Sequence, residues 1–136
     1  MKIYFGFTVM ASRERLEIAR NIMKLLQDRG HEVLTTHLFS DNVVEEESRH
    51  PREFVFERDI KWLEECDAVI AEGSSSSFGI GFEAGFVLGS TNKKVYLFYD
   101  KNMENGISKM ATGNTMAIRV PYSNFDEAKE FIEKNF

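Results

Sequence analysis

Residues 67–89 read DAVIAEGSSSSFGIGFEAGFVLG. An apolar run, Asp67 to Glu72, gives way to the serines Ser74 to Ser77 and then to a strongly apolar segment from about Gly79 to Gly89. A strand of buried type, a polar loop and an apolar helix make the unit from which helix-covered sheets are built. The serine run has a linker's composition, but its place between a strand and a helix argues against a linker. The same unit recurs on both sides. Lys2 to Phe7 is a run of β-formers, Ser12 offers an N-cap, and Leu16, Ala19, Met23 and Leu26 recur at helical spacing before a stop at Gly30. His31 to Phe39 contains a second strand, the acidic stretch Ser40 to His50 reads as a solvated surface loop, and a helix runs from Pro51 to Cys66. Beyond the quoted stretch come a strand at Lys94 to Tyr99, a short helical or irregular piece at Ile107 to Gly113, and a strand at Met116 to Val120. Ser123 to Phe136 closes the pattern as an amphipathic helix with Phe125, Ala128, Phe131 and Ile132 on one face. This alternation predicts an α/β fold, a doubly wound sheet of five parallel strands with helices on both faces. Such sheets bind ligands beyond the carboxyl ends of their strands, here the loops after Phe7, Phe39 and Glu72.

Composition narrows the function. The 136 residues, 43% hydrophobic, suit a single domain spanning 1–136. With 17 basic and 22 acidic residues the formal charge is −5, and no Lys/Arg block stands out, so a nucleic-acid polymer is not an expected partner. A single cysteine, Cys66, excludes an internal disulfide framework and points to a reducing, cytoplasmic setting. The apolar N-terminus MKIYFGFTVM is too short to span a bilayer, and no membrane partner or cleaved signal is expected. No Cys/His cluster has metal-ligand spacing, so the expectation is no metal and no cofactor. Gly79-x-Gly81 does not extend to a dinucleotide fingerprint, because position 84 is Ala, and NAD is not inferred.

Two carboxylates stand where acids are unexpected. Glu83 is the only charged side chain between Phe78 and Leu88, and a helix apolar all round is expected to be buried, which puts Glu83 against the core or at the floor of a cleft. Asp59 interrupts the stripe Val55, Asp59, Trp62 and Cys66; pairing with Arg58 or Lys61 is not expected, since those neighbours point elsewhere on the helix. Asp67, just past the helix, reads as a capping or turn residue. Two acids at one cleft suit cleavage through an oxocarbenium-like transition state, one attacking the anomeric carbon and the other handling the leaving group's proton. Serine chemistry lacks support, because no G-x-S-x-G elbow is present and His31, His37 and His50 lie far from the serine run. His31 and His50 read as surface residues, and His37, at a strand end, as a candidate ligand contact. Gly73 to Gly81 supplies hydroxyls and amides at a helix N-terminus, where an anion is favoured.

The segments KIYFGFTVMASRE, GHEVLTTHL, ERDIKWLEECDAVIAE, SSFGIGFEAG and SKMATG, in this order along nearly the whole chain, resemble the nucleoside 2-deoxyribosyltransferase superfamily, in particular its 2'-deoxynucleoside 5'-monophosphate N-hydrolases. The resemblance implies a flavodoxin-like five-stranded parallel sheet. It also implies roles: Glu83 as nucleophile, Asp59 as second catalytic carboxylate, and Tyr4 as the tyrosine that bonds the nucleophile beside the sugar. Ser77 falls where transferases tend to carry Asp and the monophosphate hydrolases a phosphate-binding Ser. Ser108 resembles a serine lent to the phosphate site by a neighbouring subunit, with Met110 near the base, so a homodimer is implied. Thr8, Val9, His37 and Gly79 complete the substrate-binding set. The hydrolases typically read G-S-I-R-G-G after the first strand, whereas this chain has Phe7 to Ser12, FTVMAS, without the arginine; Arg13 and Arg15 are the candidate replacements.

The function expected is hydrolysis of the N-glycosidic bond of a (2'-deoxy)nucleoside 5'-monophosphate through a glycosyl-enzyme intermediate. A base-exchanging deoxyribosyltransferase is one alternative, favoured by the altered Phe7–Ser12 loop and disfavoured by Ser77. A silent nucleotide-binding domain is the other, disfavoured by the presence of both acids.

Overall fold

A computed structural model describes the backbone of residues 1–136 and every side chain except that of Arg13. In chain order the elements are β1 (Lys2–Gly6), α1 (Arg13–Asp28), β2 (Glu32–Val33), a 3-10 turn (Thr36–Phe39), α2 (Val43–Ser48), α3 (Arg52–Glu65), β3 (Ala68–Glu72), α4 (Phe78–Ser90), β4 (Lys94–Asp100), a second 3-10 stretch (Lys101–Gly106), α5 (Lys109–Thr112), β5 (Ile118–Tyr122) and α6 (Phe125–Asn135). All strand pairs are parallel, in the order β2-β1-β3-β4-β5. This is the flavodoxin-like α/β sheet expected. Its winding reverses between β1 and β3, so the crevice for a ligand opens between the loops after Gly6 and after Glu72.

Strand periodicity divides the core. Ile3, Phe5, Ile70, Phe98, Val120 and Tyr122 point to one face and pack under α1 and α6 through Ala19, Ile22, Leu26, Ala128 and Ile132. Tyr4, Val69 and Val95 point to the other and meet Leu63 of α3 and Val87 of α4. Each fully buried aliphatic side chain contributes roughly 1.5–3 kcal/mol. The α1 stripe is as read, with Ser12 accepting from the Arg15 amide (3.4 Å) and Gly30 at φ 84°, a conformation few other residues adopt. Among the described residues no helix is long and apolar enough to cross a membrane.

Several elements differ from the reading. β2 is only two residues long, because the Thr35 hydroxyl takes over the backbone pairing: it accepts from the Phe5 amide (3.1 Å) and donates to the Phe5 carbonyl (2.7 Å). The acidic Ser40–His50 stretch is not simply a solvated loop, since it forms α2, anchored by buried Val43. β5 starts two residues later than predicted. The helix α4 is not buried all round: only Ile80 and Val87 are buried, while Phe78 is 91% exposed and Phe82 50%. Its apolar sequence thus covers the sheet on one side and leaves an apolar face open on the other.

Candidate active site

Strand parity carries Tyr4 and Gly6 onto the α3/α4 face, where the Tyr4 hydroxyl faces Glu83 as a hydrogen-bond donor. Gly6 is the partner that makes room. A Cβ there would stand 3.0 Å from Glu83 Oε2, so the carboxylate packs against a bare Cα. Burial, opposed by the Tyr4 hydrogen bond and reinforced by the Asp59 charge, raises the Glu83 pKa to about 7. Burial and the same two carboxylates hold the Tyr4 phenol far above its ordinary range, so it stays a donor.

Asp59 and Glu83 share the wall of a cleft of about 260 Å³ that also receives Tyr4, Thr8, Val9, His37, Ser77 and Gly79. Eight of the predicted site residues therefore meet in one place. Ser77 caps α4 by accepting from the Ile80 amide (3.3 Å), which leaves its hydroxyl proton for a ligand. Ser108 and Met110 lie outside this cleft. They line a separate groove of about 310 Å³ on the other flank of Ser77, together with Ser75 and Ser76. Ser108 caps α5, accepting from the Met110 amide (3.3 Å), and the Met110 side chain is 85% exposed. A third, apolar trench of about 350 Å³, walled by Phe56, Ile60, Phe78 and Phe82, shares Asp59, Gly79 and Glu83 with the cleft.

The expectation that Arg58 turns away from Asp59 is wrong. Its Nε donates to Asp59 Oδ1 (2.9 Å), and its two terminal nitrogens donate to Glu47 Oε1 (2.8 Å) and Oε2 (3.1 Å). The long side chain folds back along α3, so Cβ directions alone mislead for an adjacent pair. Glu47, in the stretch read as solvated, lines the cleft and was missed; in an acidic run nothing distinguishes it from Glu45 or Glu46. Hydrogen bonding to Arg58, against burial, holds the Glu47 carboxyl below its usual range. His37 Nε2 stands 3.4 Å from Glu47 Oε1, its ring 5.5 Å from that of Trp62, and burial together with Arg58 pushes its pKa down.

Arg15 is not available to replace the missing loop arginine. It is bound to Asp100 at the end of β4, and the Arg13 side chain lies outside the described residues. Asp67 accepts from the Lys2 amide (2.7 Å), tying the start of β3 to β1. His50 is exposed as expected, whereas His31 is half-buried, with Nε2 3.1 Å from the Phe136 carbonyl.

On the opposite face lies an unforeseen carboxylate. Glu72, 1% exposed at the end of β3, accepts on Oε1 from the Tyr122 hydroxyl (2.8 Å), the Ser74 amide (3.3 Å) and the Ser74 hydroxyl. Ser74 Oγ in turn accepts from the Asp100 amide (2.7 Å). Burial raises the Glu72 pKa despite these bonds.

The chain is similar to known proteins along most of its length. Residues 3–118 match the model of the nucleoside 2-deoxyribosyltransferase family. The chain is 36% identical, over 98% of its length and 93% of the relative's, to a Thermofilum pendens protein provisionally assigned as 2'-deoxynucleoside 5'-phosphate N-hydrolase 1. It is 31% identical to the 5-hydroxymethyl-dUMP N-hydrolase of Esox lucius over 83% of this chain and 79% of that one. Among solved structures, the fold is shared with the CMP N-glycosidase of Clostridium botulinum at a TM-score of 0.72 and 18% identity, covering 100% of both chains. Sheet order, the position of the cleft and these matches agree that the chain belongs to the nucleoside 2-deoxyribosyltransferase family.

Proposed function

We propose that the protein hydrolyses the N-glycosidic bond of nucleoside 5'-monophosphates, 2'-deoxynucleotides in particular, to free base and sugar 5-phosphate. One observation carries this reading: Glu83 and Asp59 share a cleft in which Tyr4 faces the Glu83 carboxylate and Ser77 opens the helix that bears it. Glu83 attacks C1' as the C1'–N bond breaks, its electron pair leaving with the base nitrogen. Asp59 passes a proton drawn from solvent to that nitrogen; Arg58 occupies Oδ1, which leaves Oδ2 for this work. Water then attacks C1', the C1'–Glu83 ester bond breaks, and Asp59 takes up the water's proton. The names of the relatives support a phosphorylated substrate.

A homodimer in which Ser108 and Met110 serve the neighbouring site accounts for their position outside their own cleft and for the exposed apolar face of α4. The nucleotide substrate and the single buried, free Cys66 favour a cytoplasmic setting.

One observation favours a second reading, base exchange on free nucleosides: among the described residues no Lys or Arg lines the cleft to meet a phosphate. The two are separated by chromatography of free base from a panel of ribo- and deoxynucleosides and their monophosphates, with and without a second base. Monophosphates should be consumed without a second base, and Ser77→Asp should abolish their turnover while leaving that of nucleosides, because a carboxylate repels the phosphate and accepts from a 5'-hydroxyl. Turnover only when a second base is present would overturn the hydrolase reading.

A further inference from the structure

Arg58 spends its donors inside the cleft wall. Its guanidinium lies 4.9 Å from the Trp62 ring centroid and 5.9 Å from that of Phe54, holds Asp59 Oδ1 through Nε, and grips both oxygens of Glu47 from α2. A cation shared between two carboxylates offsets each incompletely, and a stacked, forked guanidinium is fixed in direction as a lysine would not be. Only one of its partners, Asp59, contributes to the charge felt by Glu83 among the groups that act on it, the other group being Tyr4. We propose that Arg58 and Glu47 form a positioning pair for the reacting carboxylates: Arg58 orients Asp59 and offsets its charge toward Glu83, and Glu47 limits that offset.

The inference rests on the functional reading above, in which Glu83 must be ionised to attack. The charged and titratable groups around the unit are Tyr4 from β1, Asp59 and Arg58 from α3, His37 from the 3-10 turn, and Glu46, Glu47 and His50 from α2 and its end. Their signs make opposite predictions for the two members of one ion pair. Arg58→Gln removes the cation that offsets Asp59 and so disfavours ionised Glu83. Glu47→Gln leaves the full Arg58 charge beside Asp59 and favours it. A pair that merely braced α2 against α3 would move Glu83 in neither direction, or in one direction for both variants.

The test is a carbon-detected NMR titration of the Glu83 carboxylate, which needs no turnover, in the whole chain and its variants. The midpoint should rise in Arg58→Gln, fall in Glu47→Gln, stay raised in the double variant because Glu47 acts through Arg58, and lie between the parent and Arg58→Gln in Arg58→Lys, which keeps the charge but not the fork. The acidic limb of the pH–rate profile should follow in the same directions. Single variants that shift the midpoint the same way, or leave it unmoved, would overturn the pair; if Arg58→Gln does not fold, an unmoved midpoint in Glu47→Gln does so alone. A parent enzyme that releases no free base refutes the assigned reaction, and the titration still decides the pair.

Discussion

On one face of the sheet Glu83 stands against Tyr4; on the other, Glu72 stands against Tyr122. Burial raises the pKa of both acids and a phenol donates to both. They differ in what else reaches them. Glu72 closes a network through Oε1 that binds the loops after β3 and β4, and through Arg15 and Asp100 the start of α1, while its Oε2 is buried with no donor among the described residues. Glu83 has Tyr4 on one side, the bare Cα of Gly6 behind it and the cleft in front. Burial alone therefore does not mark a reactive acid. The mark is a buried acid that also lines a cleft, because a nucleophile's lone pair must be reached by substrate as well as shielded from water.

The sharpest way to break this contrast is to neutralise each acid in turn. Glu83→Gln is isosteric but cannot attack C1', and the release of free base should fall by about 10³-fold or more. Glu72→Gln keeps an acceptor for Tyr122 and Ser74 and should leave turnover within about tenfold of the parent, since removing a non-contacting buried group acts through stability. Initial rates on one monophosphate, with thermal melts to confirm folding, compare the two. Equal losses would place Glu72 in the reaction.

The next effect is on stability, and its sign is unusual for a carboxylate. Glu83 titrates at about 7 in the folded protein and lower when unfolded, so the native state binds the extra proton. Stability is then full below the unfolded value and lost as pH rises toward about 7, by at most about 3 kcal/mol after conversion of the shift. Glu72 acts with the same sign. His37, whose pKa is pushed down, gains stability over the same interval, so the test compares variants: in urea melts at pH 5 and pH 8 the parent should change less favourably with rising pH than Glu83→Gln, and equal changes in the two would refute the raised value.

The legibility of the two faces in the sequence follows the same physics. Glu83 was visible because it is a lone charge in an apolar helical run, and Asp59 because it breaks a helical stripe; periodicity exposes anything that violates it. Glu72 ends a strand, where an acid looks like the start of a loop, so nothing marked it as buried. Glu47 was hidden among like charges, and Arg58 was misjudged because an arginine's reach exceeds what helical geometry at Cβ describes. The parallel, doubly wound sheet and the loops beside the crevice followed from alternation, whereas the length of β2 depended on the hydroxyl of Thr35 replacing ladder bonds, a detail no hydrophobic pattern encodes.

Gly6 offers the smallest and most local test of why the reactive face stays open. Its Cα lies where Glu83 Oε2 packs, and a methyl group there would sit 3.0 Å from that oxygen, so the carboxylate must retreat by a few tenths of an ångström. Gly6→Ala should therefore keep the fold, because β1 is an ordinary strand and alanine needs no unusual dihedral, yet lower kcat several-fold to about tenfold as the nucleophile loses its alignment with C1'. Gly89→Ala is the control within the same helix as Glu83. An added Cβ there meets nothing within 4 Å, so it should raise the melting temperature slightly, by up to about 1 kcal/mol of helix propensity, without changing kcat. Rates and melts of the two variants side by side separate alignment from stability. A Gly6→Ala enzyme with the parent's kcat would mean that Glu83 is not held against β1 during turnover, and the open front of the cleft would then owe nothing to the glycine behind it.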